Sequence, residues 1–406
     1  MQIVRTIAEL DAKLAEGAEV GRYSEDRKRA LLGGFSMAAP DDLPSDPFSP
    51  AYRQAQLALY EAIAGHPYSP ECEANKFDVD AFVLRPFPFC TGSSAVAGEY
   101  FMAIGSVLQA MALPPGSRVL EFGAGWAWTS LLLAQLGHKV TVVDIEPCFC
   151  ELISRRAARE GVEIDVVNGD FFCVETMRRE FDAVLFYSCF HHCDDHMRLL
   201  RALERVTAAG GGIFFGAEPI EASFPYPWGV RLDGRALWDV RRNGWLELGF
   251  RDDYFVAALM RAGWFPRRVQ TGGPGVWEAR RREGLSFRFP ASGPEILTHI
   301  GAVRGDTLVL DGRTQGTAVY GPYIELPAGE YLARIGFRDG RAPRGPALMD
   351  VAAETGARRI AELSLADGPP AEIAFRLDGY ARNVEVRLLA EQGFTGEIEY
   401  VEIVPR

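Results

Sequence analysis

Residues 118–147 read RVLEFGAGWAWTSLLLAQLGHKVTVVDIEP, and the fold follows from how this stretch is punctuated. An apolar run, Val119 and Leu120, ends in an acid, Glu121, and a glycine turn, Gly123-Ala124-Gly125, leads into an apolar helix from Trp128 to Leu136. A second strand, Lys139 to Val143, closes on Asp144. This is a strand-turn-helix-strand unit. Glycines in the turn let the backbone approach a ligand where a Cβ would obstruct it, and the helix that follows offers N–H groups with no partner of their own. An acid at the end of the second strand is placed to accept hydrogen bonds from the two hydroxyls of a ribose. The unit therefore reads as a nucleoside site.

The glycine spacing narrows the nucleoside. A dinucleotide fingerprint needs a third glycine three residues after the second, where this chain has Trp128, and no G-K-[ST] follows to make a phosphate loop. The remaining pattern, an acid followed by G-x-G and a second acid after the next strand, resembles class I S-adenosylmethionine-dependent methyltransferases over about residues 85–285; Ala127 stands where that family has its usual third glycine. The resemblance implies a Rossmann-like α/β domain with S-adenosylmethionine as cofactor and S-adenosylhomocysteine as product. It implies cofactor contacts at Glu121, Phe122, Gly123, Ala124, Gly125, Asp144, Ile145, Asp170, Phe171 and Tyr187.

The chain has 406 residues, 48% hydrophobic and 24% charged, enough for two or three domains with a sizeable core. Three spans are expected: an N-terminal helical extension or lid at 1–90, the methyltransferase domain at 91–285 and a strand-rich domain at 286–406. A net charge of −12 argues against a nucleic-acid binder, since phosphate neutralisation needs a basic surface. No apolar run approaches the roughly 20 residues that span a bilayer, and the first residues lack a signal-peptide layout, so a cytoplasmic protein is expected. Seven scattered cysteines fit reduced thiols better than a disulfide framework.

Around the opening unit, alternating strands and helices predict a parallel sheet. Beyond the opening unit, its strands are Glu163–Val167, Phe181–Tyr187 and Gly212–Ala217, its helices Cys148–Glu160 and His196–Thr207. Ligands of such sheets gather at the carboxyl ends of the strands, where Asp170 and Phe171 lie. By family resemblance, Asp170 meets the adenine amino group and its apolar neighbour packs on the ring. Two late strands, Trp264–Gln270 and Gly275–Arg280, flank TGGPG and read as a hairpin. Upstream, RPFPFCTGS at 85–93 is too apolar for a free loop; Phe87 and Phe89 are either lid residues over an acceptor or anchors of the extension.

Reactive side chains concentrate in YSCFHHCDDH, residues 187–196. Methyl transfer to a hydroxyl needs an aligned acceptor and a base, and a histidine suits the second task. His191 or His192 is the expected base, with Asp194 or Asp195 orienting it; a purely structural histidine is the competing reading. Cys189, His192, Cys193 and His196 include zinc-capable groups, but the paired second half of a zinc site is missing and no metal is expected. Beyond the fifth strand, AEPIEASFPYPWGVRLDG (217–234) brings Glu218 as a second candidate base, and Tyr226 and Trp228 as rings that either stack on an acceptor or pin the loop. Phe87, Asp194, Tyr226 and Trp228 complete the expected acceptor site, to which Trp238, Arg241, Arg242 and Trp245 are further candidates, the arginines for an acidic acceptor.

From about Phe289 onward, short alternating runs separated by turn residues predict an antiparallel β-sandwich. Its segment GPYIELPAGEY, residues 321–331, resembles jelly-roll, carbohydrate-binding-like modules attached to bacterial glycan-modifying enzymes, although Tyr323, Leu326 and Tyr331 also fit as ordinary core and turn residues. Together these readings predict an O-methyltransferase of a sugar hydroxyl on a bacterial glycan or its precursor. The alternatives are methylation of a small aromatic or secondary metabolite, with the sandwich serving homo-oligomerisation, and a non-catalytic glycan-binding or scaffold protein.

Overall fold

The computed structural model describes every residue except 1, 41, 75, 282–285, 339–342 and 366–369. The expected boundary at 285/286 therefore abuts residues outside the described ones. The chain divides into two compact units, residues 1–262 with 269–279, and residues 263–268 with 280–406.

The parallel strands belong to a seven-stranded sheet. Its strands are β1 (Arg118–Phe122), β2 (Lys139–Asp144), β3 (Ile164–Asn168), β4 (Phe181–Tyr187), β5 (Thr207–Gly216), β6 (Trp264–Val269) and β7 (Val276–Arg281), in the order β6-β7-β5-β4-β1-β2-β3. The pairs β1–β2, β1–β4, β2–β3 and β4–β5 are parallel. A short connection joins β6 to β7, and neighbouring strands joined that closely run antiparallel, so the sheet is mixed. The order reverses between β1 and β4, which opens a crevice beyond their carboxyl ends.

The central strands are buried on both faces. Val119, Leu120, Phe122, Ala183, Val184, Leu185 and Phe186 have no exposed surface, which is why these runs read as continuous apolar stretches. Helix Ser94–Met111 is capped by Ser93, whose Oγ accepts from Val96 N–H at 3.2 Å, and it sets Ile104, Val107 and Met111 into the core.

Two boundaries differ from the sequence reading. The helix from His196 ends at Ala202 and passes through a 3₁₀ turn, Leu203–Arg205, so Thr207 belongs to β5 instead. The fifth strand, expected over Gly212–Ala217, runs over Thr207–Gly216 and takes in Gly210 and Gly211. In the structure an irregularity in the ladder carries pairing from Thr207↔Phe181 past them to Gly212↔Ala183.

Before the sheet, Thr6 and Glu9 form a reciprocal cap on helix Ile7–Gly21, and helix Pro50–Ala64 starts on Ser49. Helix Glu25–Leu32 and the parallel pairing of Gln2–Val4 with Phe35–Met37 lie in stretches without a clear period.

The second unit is strand-rich. One sheet orders Ala302–Arg304, Thr307–Asp311, Thr395–Pro405, Gly329–Phe337 and Glu372–Leu377, with Phe287–Pro290 also on Thr395–Pro405. The other orders Gly316–Val319, Ala381–Ala390, Ala347–Ala353 and Arg358–Ser364, with Pro322–Leu326 also on Ala381–Ala390. Their paired strands run antiparallel. Burial alternates along Glu372–Leu377 as the period-two pattern requires, and Leu326 and Tyr331 are core residues.

Candidate active site

A cavity of about 320 Å³ opens at the carboxyl ends of the strands in the first unit. Its floor is the glycine turn after β1. Gly123 and Gly125 hold φ of 55° and 48°, and a Cβ on Gly123 would stand 2.7 Å from that of Cys189, so the turn admits no side chain there. Asp144, at the end of β2, accepts from Gly125 N–H with Oδ2 and from Glu146 N–H with Oδ1, each at 3.0 Å. Burial pushes its carboxyl up to about 6, against those two N–H groups. Asp170, after β3, accepts from the N–H groups of Phe172 (2.9 Å) and Cys173 (3.2 Å) through Oδ1.

Phe122, Gly123, Ala124, Gly125, Asp144 and Ile145 all line the cavity, as do Asp170, Phe171 and Tyr187. Glu121 does not belong with them. It is fully buried, with its two oxygens taken by the hydroxyls of Thr129 and Ser130, and burial pushes its carboxyl up to about 7. It ties the next helix to the sheet instead of meeting a ligand.

The turn after β4 shapes the other end. Phe190–His192 form a single 3₁₀ turn, and Glu218, after β5, holds it: the carboxylate accepts from the N–H groups of Cys189 (2.8 Å), Phe190 (2.9 Å) and His191 (3.2 Å). His191 Nδ1 lies 2.7 Å from the same group. Both expected roles change accordingly. Glu218 has a side chain with 0% exposure, already committed to four donors, so it is an anchor and not a base. His191 is buried off the cavity wall, and burial lowers it to about 4. Only His192 of the pair lines the cavity. Asp194 lines it too, ion-paired with Arg53, while Asp195 caps the following helix through Arg198 N–H. Phe87 is on the wall, edge-on to Tyr100 at 5.1 Å; Phe89 packs on Phe101 and Trp128 outside it.

Several acceptor candidates are structural. Tyr226 is buried with its hydroxyl on Val230 O, and Trp228 is buried with Nε1 on Pro47 O at 2.8 Å, so these rings pin the 217–234 insertion. Arg241 is spent on Asp11 and on the carbonyls of Ile63 and Ala64. Trp238 sits under Lys28 and Arg242. Trp245 does reach the wall, and its Nε1 is buried without a hydrogen-bond partner among the described residues.

The four-residue zinc constellation is not assembled. Cys189 donates to Phe122 O at 3.0 Å, burial holds its thiol and that of Cys193 well above the ordinary range, and His196 is packed on Trp228 with Nε2 on Tyr254 Oη at 2.8 Å. Metal-ligand spacing is instead found at His191, His192 and Glu247, which offer atoms within 4.8 Å of one another. There Arg231 already reaches Glu247 at 3.3 Å.

Sequence reasoning missed Tyr68, Glu73, Trp126 and Phe149, all on the wall. Trp126 and Phe149 sat inside stretches already quoted and carried an aromatic signal. Tyr68 and Glu73 come from a segment with no motif.

A family model described as a methyltransferase domain matches residues 119–211. The chain is 27% identical over 144 residues to a protein-L-isoaspartate O-methyltransferase of Methylorubrum populi, covering 36% of this chain and 64% of that one. It is 30% identical over 105 residues to a ubiquinone biosynthesis O-methyltransferase of Xanthomonas axonopodis pv. citri, covering 25% and 43%. The chain thus spans less than two thirds of the length of these curated relatives. A solved structure of PigF with SAH overlaps 67% of this chain and 70% of that one at 14% identity and a TM-score of 0.40. No described helix is long and apolar enough to cross a membrane. Between β1 and the glycines of β5, this chain carries a methyltransferase domain.

Proposed function

We propose that the protein is an S-adenosylmethionine-dependent O-methyltransferase whose acceptor is a small molecule, with a sugar hydroxyl of a bacterial glycan or its precursor as the first acceptor class. One observation carries the reading: Asp144, Asp170 and His192 stand on the wall of a single cavity. Asp144 would hold the ribose hydroxyls, Asp170 the adenine amino group, and the turn at Gly123–Gly125 leaves room for the donor's backbone-close parts. When bound, the donor supplies an activated methyl group on a sulfonium. The chain supplies alignment, shelter from water and a group on the wall able to take a proton.

The sugar acceptor draws support from the strand-rich second unit, read as a jelly-roll-like β-sandwich that binds glycan. It also draws support from Trp245, whose buried indole N–H has no hydrogen-bond partner among the described residues. The aromatic wall of Tyr68, Phe87 and Trp245 favours the second reading, a small aromatic hydroxyl compound, in which case the second unit serves self-association. Incubating the protein with isotope-labelled S-adenosylmethionine and separate panels of oligosaccharides and phenols, with product masses recorded, tests both. Methylated sugar is expected; methylation confined to phenols would replace the first reading with the second. His192→Ala should leave donor affinity within a few-fold and lower turnover by about 10²-fold or more. Unchanged turnover would remove His192 from the mechanism.

A further inference from the structure

We propose that Glu73, from the segment preceding the sheet, is the positioning partner of His192, so that Nε2 of that ring is the atom that receives the acceptor's proton. The inference rests on the methyl-transfer reading above and adds a residue and an atom to it.

The geometry fixes which nitrogen carries hydrogen. His192 Nδ1 lies 2.9 Å from the carbonyl oxygen of Leu246 and 3.2 Å from Oε2 of Glu73. A peptide carbonyl can only accept, and an ionised carboxylate likewise, so Nδ1 is the donor and, in the neutral ring, Nε2 has the lone pair. Glu73 is itself held. Its Oε1 accepts from Leu246 N–H at 2.9 Å, and its side chain is only 11% exposed at the end of the 3₁₀ turn Pro70–Glu73. Tyr68 donates its hydroxyl to His192 O at 3.1 Å. The extension thus grips both the ring and the backbone of His192, while Glu218 grips the turn from the other side. Glu73 and His192 share the cavity wall.

The chemistry balances on these atoms. The acceptor oxygen forms a bond to the methyl carbon as the carbon–sulfur bond breaks and its electron pair returns to sulfur. The hydroxyl proton passes to Nε2, and the resulting imidazolium faces the Glu73 carboxylate, a carboxylate–imidazole arrangement in which the acid orients the ring and offsets its charge.

The surrounding charges agree in sign. Facing His192 are Glu73 from the extension, the His191 ring at 4.2 Å, Glu218 after β5, Glu247 with Arg231 beside it, and Asp239. Burial pushes the ring down, but Glu73, then Glu247 and Glu218, outweigh it and hold His192 up to about 10. The neutral, proton-accepting ring therefore becomes populated as pH rises toward that value, and turnover should climb into the alkaline range.

The test follows the ring itself and needs no acceptor. Nitrogen-15 NMR of the histidine rings is recorded across pH for the full chain, for Glu73→Gln and for Glu73→Asp, with His192 signals assigned against His192→Gln. Above its midpoint the parent ring should be the Nδ1–H tautomer. Glu73→Gln, which keeps an acceptor for Leu246 N–H, should lower the midpoint by about 1–2 pH units; Glu73→Asp should stay nearer the parent. An Nε2–H tautomer in the parent, or a midpoint unmoved in Glu73→Gln, overturns the proposal. Should Glu73→Gln not fold, an Nε2–H tautomer in the parent still overturns the proposal, and the midpoint of Glu73→Asp, expected somewhat below the parent's, carries the rest of the test. Calorimetry with S-adenosylmethionine on the same samples separates the two layers: a parent that does not bind it sinks the methyl-transfer reading, whereas retained binding with the wrong tautomer sinks only this one.

Discussion

Glu218→Ala is expected to lower stability by about 4 kcal/mol or more and to abolish donor binding and turnover together. The carboxylate accepts from the N–H groups of Cys189, Phe190 and His191 and from the His191 ring. Alanine leaves these donors buried without partners, each at a cost of about 1–3 kcal/mol. Burial alone would raise the Glu218 carboxyl, yet His191 and the backbone N–H groups bring it below its ordinary value, so the ionised form is the one that fits. Because the turn it holds carries His192 and packs Cys189 on Gly123, the damage spreads to both ends of the cavity. Glu218→Gln should fall between parent and alanine variant, since an amide keeps one accepting oxygen but turns a donor toward His191. Thermal melts with parallel titration of S-adenosylmethionine read this out. A parent-like melting temperature with only turnover lost would return Glu218 to the list of bases.

Asp144→Ala should weaken S-adenosylmethionine binding by about 100-fold, the loss of one well-placed charge-assisted contact pair, at about 3 kcal/mol. The residue does two things at once. It faces the cavity as an acceptor, and it fixes the Gly125 and Glu146 N–H groups that shape the turn. Asp144→Asn keeps one accepting oxygen and should lose less. The sign of the pH dependence follows from the raised carboxyl: in the proposed role the ionised form accepts two ribose hydroxyls, so donor affinity should be full above about 6 and fall as pH drops through it. Calorimetric affinities that stay flat between mildly acidic and mildly alkaline pH would mean the carboxylate is not the ribose acceptor.

How much of this was legible in the residue order depends on where the signal was local. The glycine turn, Asp144 and Asp170 are fixed by short-range pattern, because a strand end, a tight turn and a helix start each leave a mark within a few residues. Glu121 carries a similar mark near the end of β1, yet its side chain turns to Thr129 and Ser130 and not to the cavity. Period alone does not say which side of a doubly covered strand faces the ligand. His191 and His192 are adjacent, and only the three-dimensional course of one 3₁₀ turn separates a ring buried off the cavity from one on its wall. Tyr226 and Trp228 looked like acceptor rings because aromatic residues in an insertion are ambiguous until their hydroxyl and N–H partners are known. Glu73 had no local mark whatever; its partner Leu246 is 173 residues away in the chain.

The wall described above carries Glu73, Asp144, Glu146, Asp170 and Asp194 and, among the described residues, neither lysine nor arginine. A phosphate or sulfate group entering there would meet these carboxylates at short range, with Arg53 already paired to Asp194. That balance of charge favours uncharged chain ends and amine-bearing rings over phosphorylated groups.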